Sequence, residues 1–113
     1  AQCIEEPRAD LDRTGLLSPI VGHIGDGNFH CQILCDPEDD DEIAAAQAFV
    51  GRLAERAIAM GGTCTGEHGV GANKIGYVEQ EFGPAVEVMR AIKRALDPQN
   101  LLNPGKVVRL VKP

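Results

Sequence analysis

The three histidines of the chain, His23, His30 and His68, all lie in two glycine-rich stretches. The first runs Gly22-His23-Ile24-Gly25-Asp26-Gly27-Asn28-Phe29-His30, and the second runs Gly62-Thr63-Cys64-Thr65-Gly66-Glu67-His68-Gly69-Val70-Gly71. Imidazoles and a carboxylate can hold a divalent metal ion or move a proton near neutral pH. Flanking glycines let backbone and ligand approach closely. If Asp26-Gly27 are the two loop residues of a hairpin, Gly25 faces Asn28, Ile24 faces Phe29 and His23 faces His30. The two histidines would then be opposed on one face, with Cβ atoms roughly 4.5–5.5 Å apart. That spacing lets both reach one ion through bonds of about 2.0–2.1 Å. Gln32 shares their face by the two-residue period of a strand. Glu67 is the candidate third ligand, and a His-His-carboxylate set leaves coordination positions open, as a catalytic metal requires. Glu67 and His68 are adjacent, so their side chains are expected to diverge, Glu67 toward a metal and His68 toward a substrate. Spacing alone leaves the plainer alternatives open: two surface histidines beside a polar turn, and a turn whose Glu and His face solvent.

The elements that must position these residues can be read from periodicity and punctuation. A weakly helical segment, Pro7 to Arg13, ends at Gly15. Leu17 to Ile24 and Phe29 to Cys35 read as two strands, the second alternating Phe29, Cys31, Ile33 and Cys35 with His30, Gln32 and Leu34. Asp39-Asp40-Asp41-Glu42 sits where a helix should begin, since acids there cap free N–H groups and complement the helix dipole. That accounts for the acidic run without a calcium site. Ile43, Ala46, Val50, Leu53, Ala57 and Met60 recur at helical spacing up to the stop at Gly61-Gly62. Thr63-Cys64-Thr65 reads as a short extended piece, followed by a short helix around Lys74 to Glu81. Gly83-Pro84 opens another helix, with Val88, Met89, Ile92 and Leu96 expected on its buried stripe, and Asp97-Pro98 ends it. Asn103-Pro104-Gly105-Lys106 is a turn, and Val107 to Val111 is expected to form an edge strand. The predicted class is α+β: a ferredoxin-like cap segment with a helical C-terminal portion.

Composition narrows the function classes. The 113 residues carry a formal charge of -6, which argues against a phosphate-binding surface and hence against nucleic acid. Six acids lie between Asp36 and Glu42, whereas Lys74, Lys93, Arg94, Lys106, Arg109 and Lys112 make the second half more basic. Hydrophobic residues make up 43% and aromatics 4%, so the core must be aliphatic and thin for a self-sufficient domain. Cys3, Cys31, Cys35 and Cys64 form no C-x-x-C pair and are expected to be buried, reduced thiols. There is no apolar run of the ~20 residues that a transmembrane helix needs. The first residues, Ala1 to Glu6, do not read as a signal peptide, and the sequence holds no dinucleotide fingerprint or P-loop. A start without Met, reading as helix interior, is expected of an intracellular piece of a longer chain, cytoplasmic or, in a eukaryote, mitochondrial.

Three stretches resemble a known family. Gly22 to His30 resembles the G-H-x-G-D-G-N-x-H signature of the C-terminal domain of FAD-linked oxidases, in the vanillyl-alcohol-oxidase-like superfamily. Gly62 to Gly71 is similar to that family's second motif, in the form typical of its D-lactate dehydrogenases. Leu96-Asp97-Pro98 with Asn103-Pro104-Gly105-Lys106 is similar to its closing motif. The resemblance covers about residues 14 to 108. It implies that all 113 residues belong to a C-terminal domain, and that an N-terminal domain outside this sequence binds most of the FAD. It further implies that His23, His30 and Glu67 bind Zn or Mn, that His68 is the catalytic base, and that Asn103 lies near the flavin. The implied reaction is oxidation of a small D-2-hydroxy acid, D-lactate or similar. The metal favours the α-alkoxide, His68 takes the hydroxyl proton and hydride passes to the flavin. Gln32 departs from the pattern, because the D-2-hydroxyglutarate branch has a substrate-binding Asn at this place and the D-lactate branch an apolar residue. Gln32 is therefore the candidate substrate contact. Alone, the piece is expected to be inactive and to self-associate through its docking face. Two other readings compete: a non-redox metal-binding or scaffolding module derived from the family, and a metallohydrolase, which the absence of an H-E-x-x-H helix disfavours.

Overall fold

A computed structural model describes residues 2–110. Among them the order is α1 (Gln2–Thr14), β1 (Ile20–His23), β2 (Asn28–Cys31), α2 (Asp40–Ala59), α3 (Ile75–Phe82) and α4 (Ala85–Leu96). Four helices and a two-stranded antiparallel sheet make the fold α+β. The chain divides into two compact units, residues 1–62 and 63–113.

In the first unit, helix α2 starts where the acidic run places it. The Asp39 carboxylate accepts the N–H groups of Asp41 and Glu42 at 3.0 Å each, a cap of about 1 kcal/mol. The helix closes through Gly62 N–H to Ala57 O at 2.8 Å. The core joins Leu11, Leu16 and Phe49, with Ile20, Cys31, Ile33, Ala45 and Leu53 packed around them. Phe49 is 1% exposed, and losing such a ring costs about 3–5 kcal/mol. The predicted stripe is thus rotated: Val50 and Met60 are exposed, because neighbours 100° apart cannot both face inward and the aromatic ring displaces the smaller valine. Buried Asp10 ties α1 to α2, accepting Arg52 at 3.1 Å and Arg56 at 3.4 Å beside Arg13. Burial by itself would raise the Asp10 carboxyl, but the hydrogen bond and charge of Arg52, with Arg13 and Arg56, hold it below the usual value.

The strands are shorter than the apolar runs. Pro19 has no N–H to give to a ladder, so β1 begins just after it. Beyond the strands, Gln32 N–H still reaches Pro19 O at 3.1 Å and Leu34 N–H reaches Leu17 O at 2.9 Å. Of the four cysteines expected to be buried, Cys3, Cys31 and Cys64 are half-buried and Cys35 is exposed.

In the second unit, Val78, Val86 and Val108 form the core, with Val70 and Met89 against it. Arg90 is 3% exposed. Its guanidinium meets Glu79 of α3, Glu87 Oε1 at 2.7 Å and the Arg109 carbonyl at 2.5 Å. One buried cation thereby joins two helices and the tail. It also sets the rotation of α4, turning Val86, Arg90, Lys93 and Asp97 inward at helical spacing. The predicted stripe of Val88, Ile92 and Leu96 is consequently exposed, and only Met89 of that set is partly buried. Asp97 accepts Leu101 and Leu102 N–H at 2.9 Å each. The hydrogen bond from Lys93, opposed by burial and helped by those two amides, lowers its pKa to about 2. The expected edge strand is not formed: Val107 sits at φ 64, a left-handed turn that sends Val108 into the core, and Val111 lies outside the described residues.

Candidate functional site

The hairpin presents its two faces differently. Ile20, Cys31 and Ile33 pack against the first unit's core, so by strand alternation Val21, His23, Asn28 and His30 occupy the opposite face. His23 is exposed and His30 half-buried. The loop between the strands is four residues, not two. Ile24–Asp26 wind into a 3-10 turn, closed by Gly27 N–H to Ile24 O at 3.0 Å. Gly27 at φ 75 takes the left-handed conformation that reverses the chain.

This loop corrects the expected register. The observed pairs are Ile20 with Cys31, Val21 with His30, Gly22 with Phe29 and His23 with Asn28. His23 and His30 are diagonal neighbours rather than directly opposed, so their separation is about 7–8 Å. A slip of two residues keeps every side chain on its own face. Both imidazoles therefore remain on one side of the hairpin. Gln32 follows β2 directly, is exposed and continues that face by alternation. Gly22 is the steric condition of the pairing. A Cβ there would lie 2.5 Å from Phe29 Cα and 2.6 Å from Asn28 O.

In the second unit, Glu67 and His68 sit in an exposed turn between Gly66 and Gly69. They do not diverge as expected. His68 Nε2 lies 3.6 Å from Glu67 Oε1, because the residues are in a tight turn and not on an extended strand, where neighbours point to opposite faces. Thr63–Thr65, expected to be extended, joins no sheet among the described residues. The turn is held at its two ends. At one, Glu81 Oε2 accepts the Thr63 hydroxyl and the Cys64 N–H, both at 3.0 Å. At the other, Gly71 O accepts Val107 N–H at 2.8 Å. Burial would raise the Glu81 carboxyl, yet the bonds from Cys64 and Thr63 hold it below its ordinary value. The Cys64 thiol is pushed up by burial and by its bond to Glu81, as suits an unreactive thiol. Asn103 is exposed in the tail at φ 47.

Sequence reasoning missed Glu81. The signal was its position: an acid in the last turn of a helix opposes the helix dipole, and such a residue needs another reason to be there. Sequence reasoning also missed Arg90, which reads as one more surface base on an amphipathic helix.

Comparison with known proteins adds the wider context. The family model described as FAD linked oxidases, C-terminal domain, matches residues 1–107. The chain is 54% identical over 112 residues to the Danio rerio protein named "Probable D-lactate dehydrogenase, mitochondrial", covering 98% of this chain and 22% of that protein. It is 41% identical over 109 residues to the Arabidopsis thaliana "D-lactate dehydrogenase [cytochrome], mitochondrial", covering 96% of this chain and 19% of that protein. It is 44% identical over 87 residues to "Glycolate oxidase subunit GlcD" of Bacillus subtilis, covering 76% of this chain and 18% of that protein. The chain thus spans about a fifth of the length of these relatives. No helix among the described residues is long and apolar enough to cross a membrane. With the motif residues in place and a family match across nearly its whole length, the chain belongs to the C-terminal domain family of the FAD linked oxidases.

Proposed function

We propose that this chain is the substrate- and metal-binding part of an FAD-dependent dehydrogenase that oxidises a short D-2-hydroxy acid, D-lactate or a close relative. All 113 residues would serve as its C-terminal domain, with an N-terminal domain of the same protein holding most of the FAD. The observation that carries the reading is the hairpin face turned away from the first unit's core. It presents His23 and His30 together, in a chain whose relatives are named for D-lactate and glycolate. His23, His30 and Glu67 are the proposed ligands of one divalent ion. Two neutral imidazole nitrogens and a carboxylate suit Zn or Mn and leave coordination positions open.

When bound, the ion supplies positive charge beside the substrate oxygen, and the flavin supplies the hydride acceptor. His68 accepts the α-hydroxyl proton at a ring nitrogen, a role suited to imidazole at neutral pH. The 3.6 Å approach of Glu67 to His68 sets ligand and base beside the same small volume, where one hydroxyl can reach both. Gln32, on the histidine face, hydrogen-bonds the substrate and so helps to set which acid is accepted. Asn103 is the side chain this domain offers toward the flavin. The eukaryotic relatives are named as mitochondrial proteins, and a mitochondrial setting is the corresponding proposal for a eukaryotic source.

The test uses the complete flavoprotein. Anaerobic bleaching of the flavin should follow D-lactate, and D-2-hydroxyglutarate and glycolate serve as competitors. His23→Ala and Glu67→Ala should lose bound metal. His68→Ala should retain metal while flavin reduction slows by about 10²–10⁴-fold. Unchanged reduction in His68→Ala would refute the base assignment.

A further inference from the structure

The Glu67–His68 turn carries its chemistry on a backbone that glycine leaves loose. Gly66 precedes the pair and Gly69 follows it. The direction in which the pair is presented therefore depends on what holds the segment on either side. On the downstream side, Val70 packs against the Val78, Val86 and Val108 core. Gly71 O is bonded to Val107 N–H, and Val70 O accepts Lys74 N–H at 3.3 Å. On the upstream side one carboxylate holds Thr63 and Cys64. Glu81 Oε2 accepts both the Thr63 hydroxyl and the Cys64 N–H at 3.0 Å. The Thr63 hydroxyl oxygen in turn accepts Thr65 N–H at 3.3 Å. Three consecutive residues are thus organised by a single oxygen atom 18 positions away from Thr63, and the next residue is the glycine before Glu67.

We propose that Glu81 is the positioning residue of the Glu67–His68 turn, acting through Thr63 and Cys64 to aim the ligand and the base. The inference rests on the roles proposed above for Glu67 and His68. The bonds of Glu81 are to Thr63 and Cys64, and it takes no part in proton transfer. Partners bonded directly to a metal ligand typically matter about 10–100-fold in metal affinity, so a residue acting through the adjoining segment is expected at the lower end of that range. A carboxylate also suits this task better than a neutral acceptor, because one ionised oxygen serves two donors strongly.

The test compares Glu81→Ala, Glu81→Gln and Thr63→Val in the whole 113-residue chain. The readouts are amide exchange at Cys64 and Thr65, the NMR resonances of Glu67 and His68, and affinity for Zn(II) alone. Glu81→Ala should speed exchange at Cys64 and Thr65, move the Glu67 and His68 resonances, and weaken zinc binding by about tenfold. Glu81→Gln keeps one oxygen able to accept both donors, and should restore the resonances and bring zinc affinity to within about threefold of the native chain. Thr63→Val leaves the carboxylate intact and should release Thr65 most. Should Glu81→Ala fail to fold, the Gln and Val variants decide. Glu67 and His68 resonances unmoved by Glu81→Ala, or a Gln variant no better than the Ala variant, would overturn the role. If the native chain binds no zinc while the resonances still move in Glu81→Ala and return in Glu81→Gln, the positioning role stands and the metal reading fails.

Discussion

Substituting Gly22 by alanine should do more damage than any other single methyl group added to the hairpin. Gly22 pairs with Phe29 at φ 150, a backbone conformation that L side chains rarely adopt and that costs about 1–3 kcal/mol when forced. The added Cβ would stand 2.5 Å from Phe29 Cα and 2.6 Å from Asn28 O. Both obstacles are backbone atoms, so no side chain can swing aside and the strands themselves must separate. Overpacking of this sort adds about 1–3 kcal/mol, giving a total of about 2–6 kcal/mol. Gly25→Ala is the matched control, since a Cβ there meets nothing within 4 Å, and its effect should stay within about 0.5 kcal/mol. The readout must come from the first unit. The single tyrosine, Tyr77, reports the second unit and the chain has no tryptophan. Amide exchange at Gln32 and Leu34, whose N–H groups bond Pro19 O and Leu17 O across the hairpin, serves the purpose as a function of denaturant. Equal protection in Gly22→Ala, Gly25→Ala and the native chain would refute the close-approach argument. With His23 in its proposed role as a metal ligand, the same substitution in the full-length protein should also reduce metal content, because His23 adjoins Gly22 and moves with β1.

Other outcomes follow from the charged groups. Asp97 has its carboxyl lowered from 3.8 to about 2, so the folded state binds the proton less readily than the unfolded chain. Its contribution is complete above about pH 4 and is lost as the pH falls toward about 2. Melting temperatures across that window should drop less steeply in Asp97→Asn than in the native chain, and identical slopes would sink the assignment. Asp10 and Glu81 are also held low and act in the same direction. Asp10→Ala should cost about 1–3 kcal/mol in urea unfolding of the first unit. That is less than the about 3–5 kcal/mol of a fully buried broken pair, because Arg13 and Arg52 remain partly exposed and keep their water. A loss under 0.5 kcal/mol would show that the arginine cluster contributes nothing.

Much of the fold was written in local signals. The Asp39 cap, the stop at Gly61-Gly62, the helix break at Asp97-Pro98 and the tight turn after Ile24 each depend on residues within a few positions of one another. Where the reading went astray, the deciding atoms were distant in sequence. Periodicity identified α4 as amphipathic, but Arg90 faces inward to Glu79 and the Arg109 carbonyl, which leaves Val88, Ile92 and Leu96 on the exposed side. The loop length was misjudged by two residues because Asp26-Gly27 satisfies a two-residue turn locally. The longer 3-10 turn instead places Gly22 where Phe29 can approach it.

For the candidate site the division is similar. The sequence alone determined the residue types, their glycine setting and, by the two-residue strand period, that His23 and His30 share a face. That last inference survived a register error because a slip of two preserves side-chain parity. Only the tertiary structure decided that the histidines are diagonal, that Glu67 and His68 lie 3.6 Å apart, and that Glu81 holds the segment before them. Those facts depend on hydrogen bonds and packing between residues that no local pattern couples, such as Thr63 with Glu81 or Gly71 with Val107.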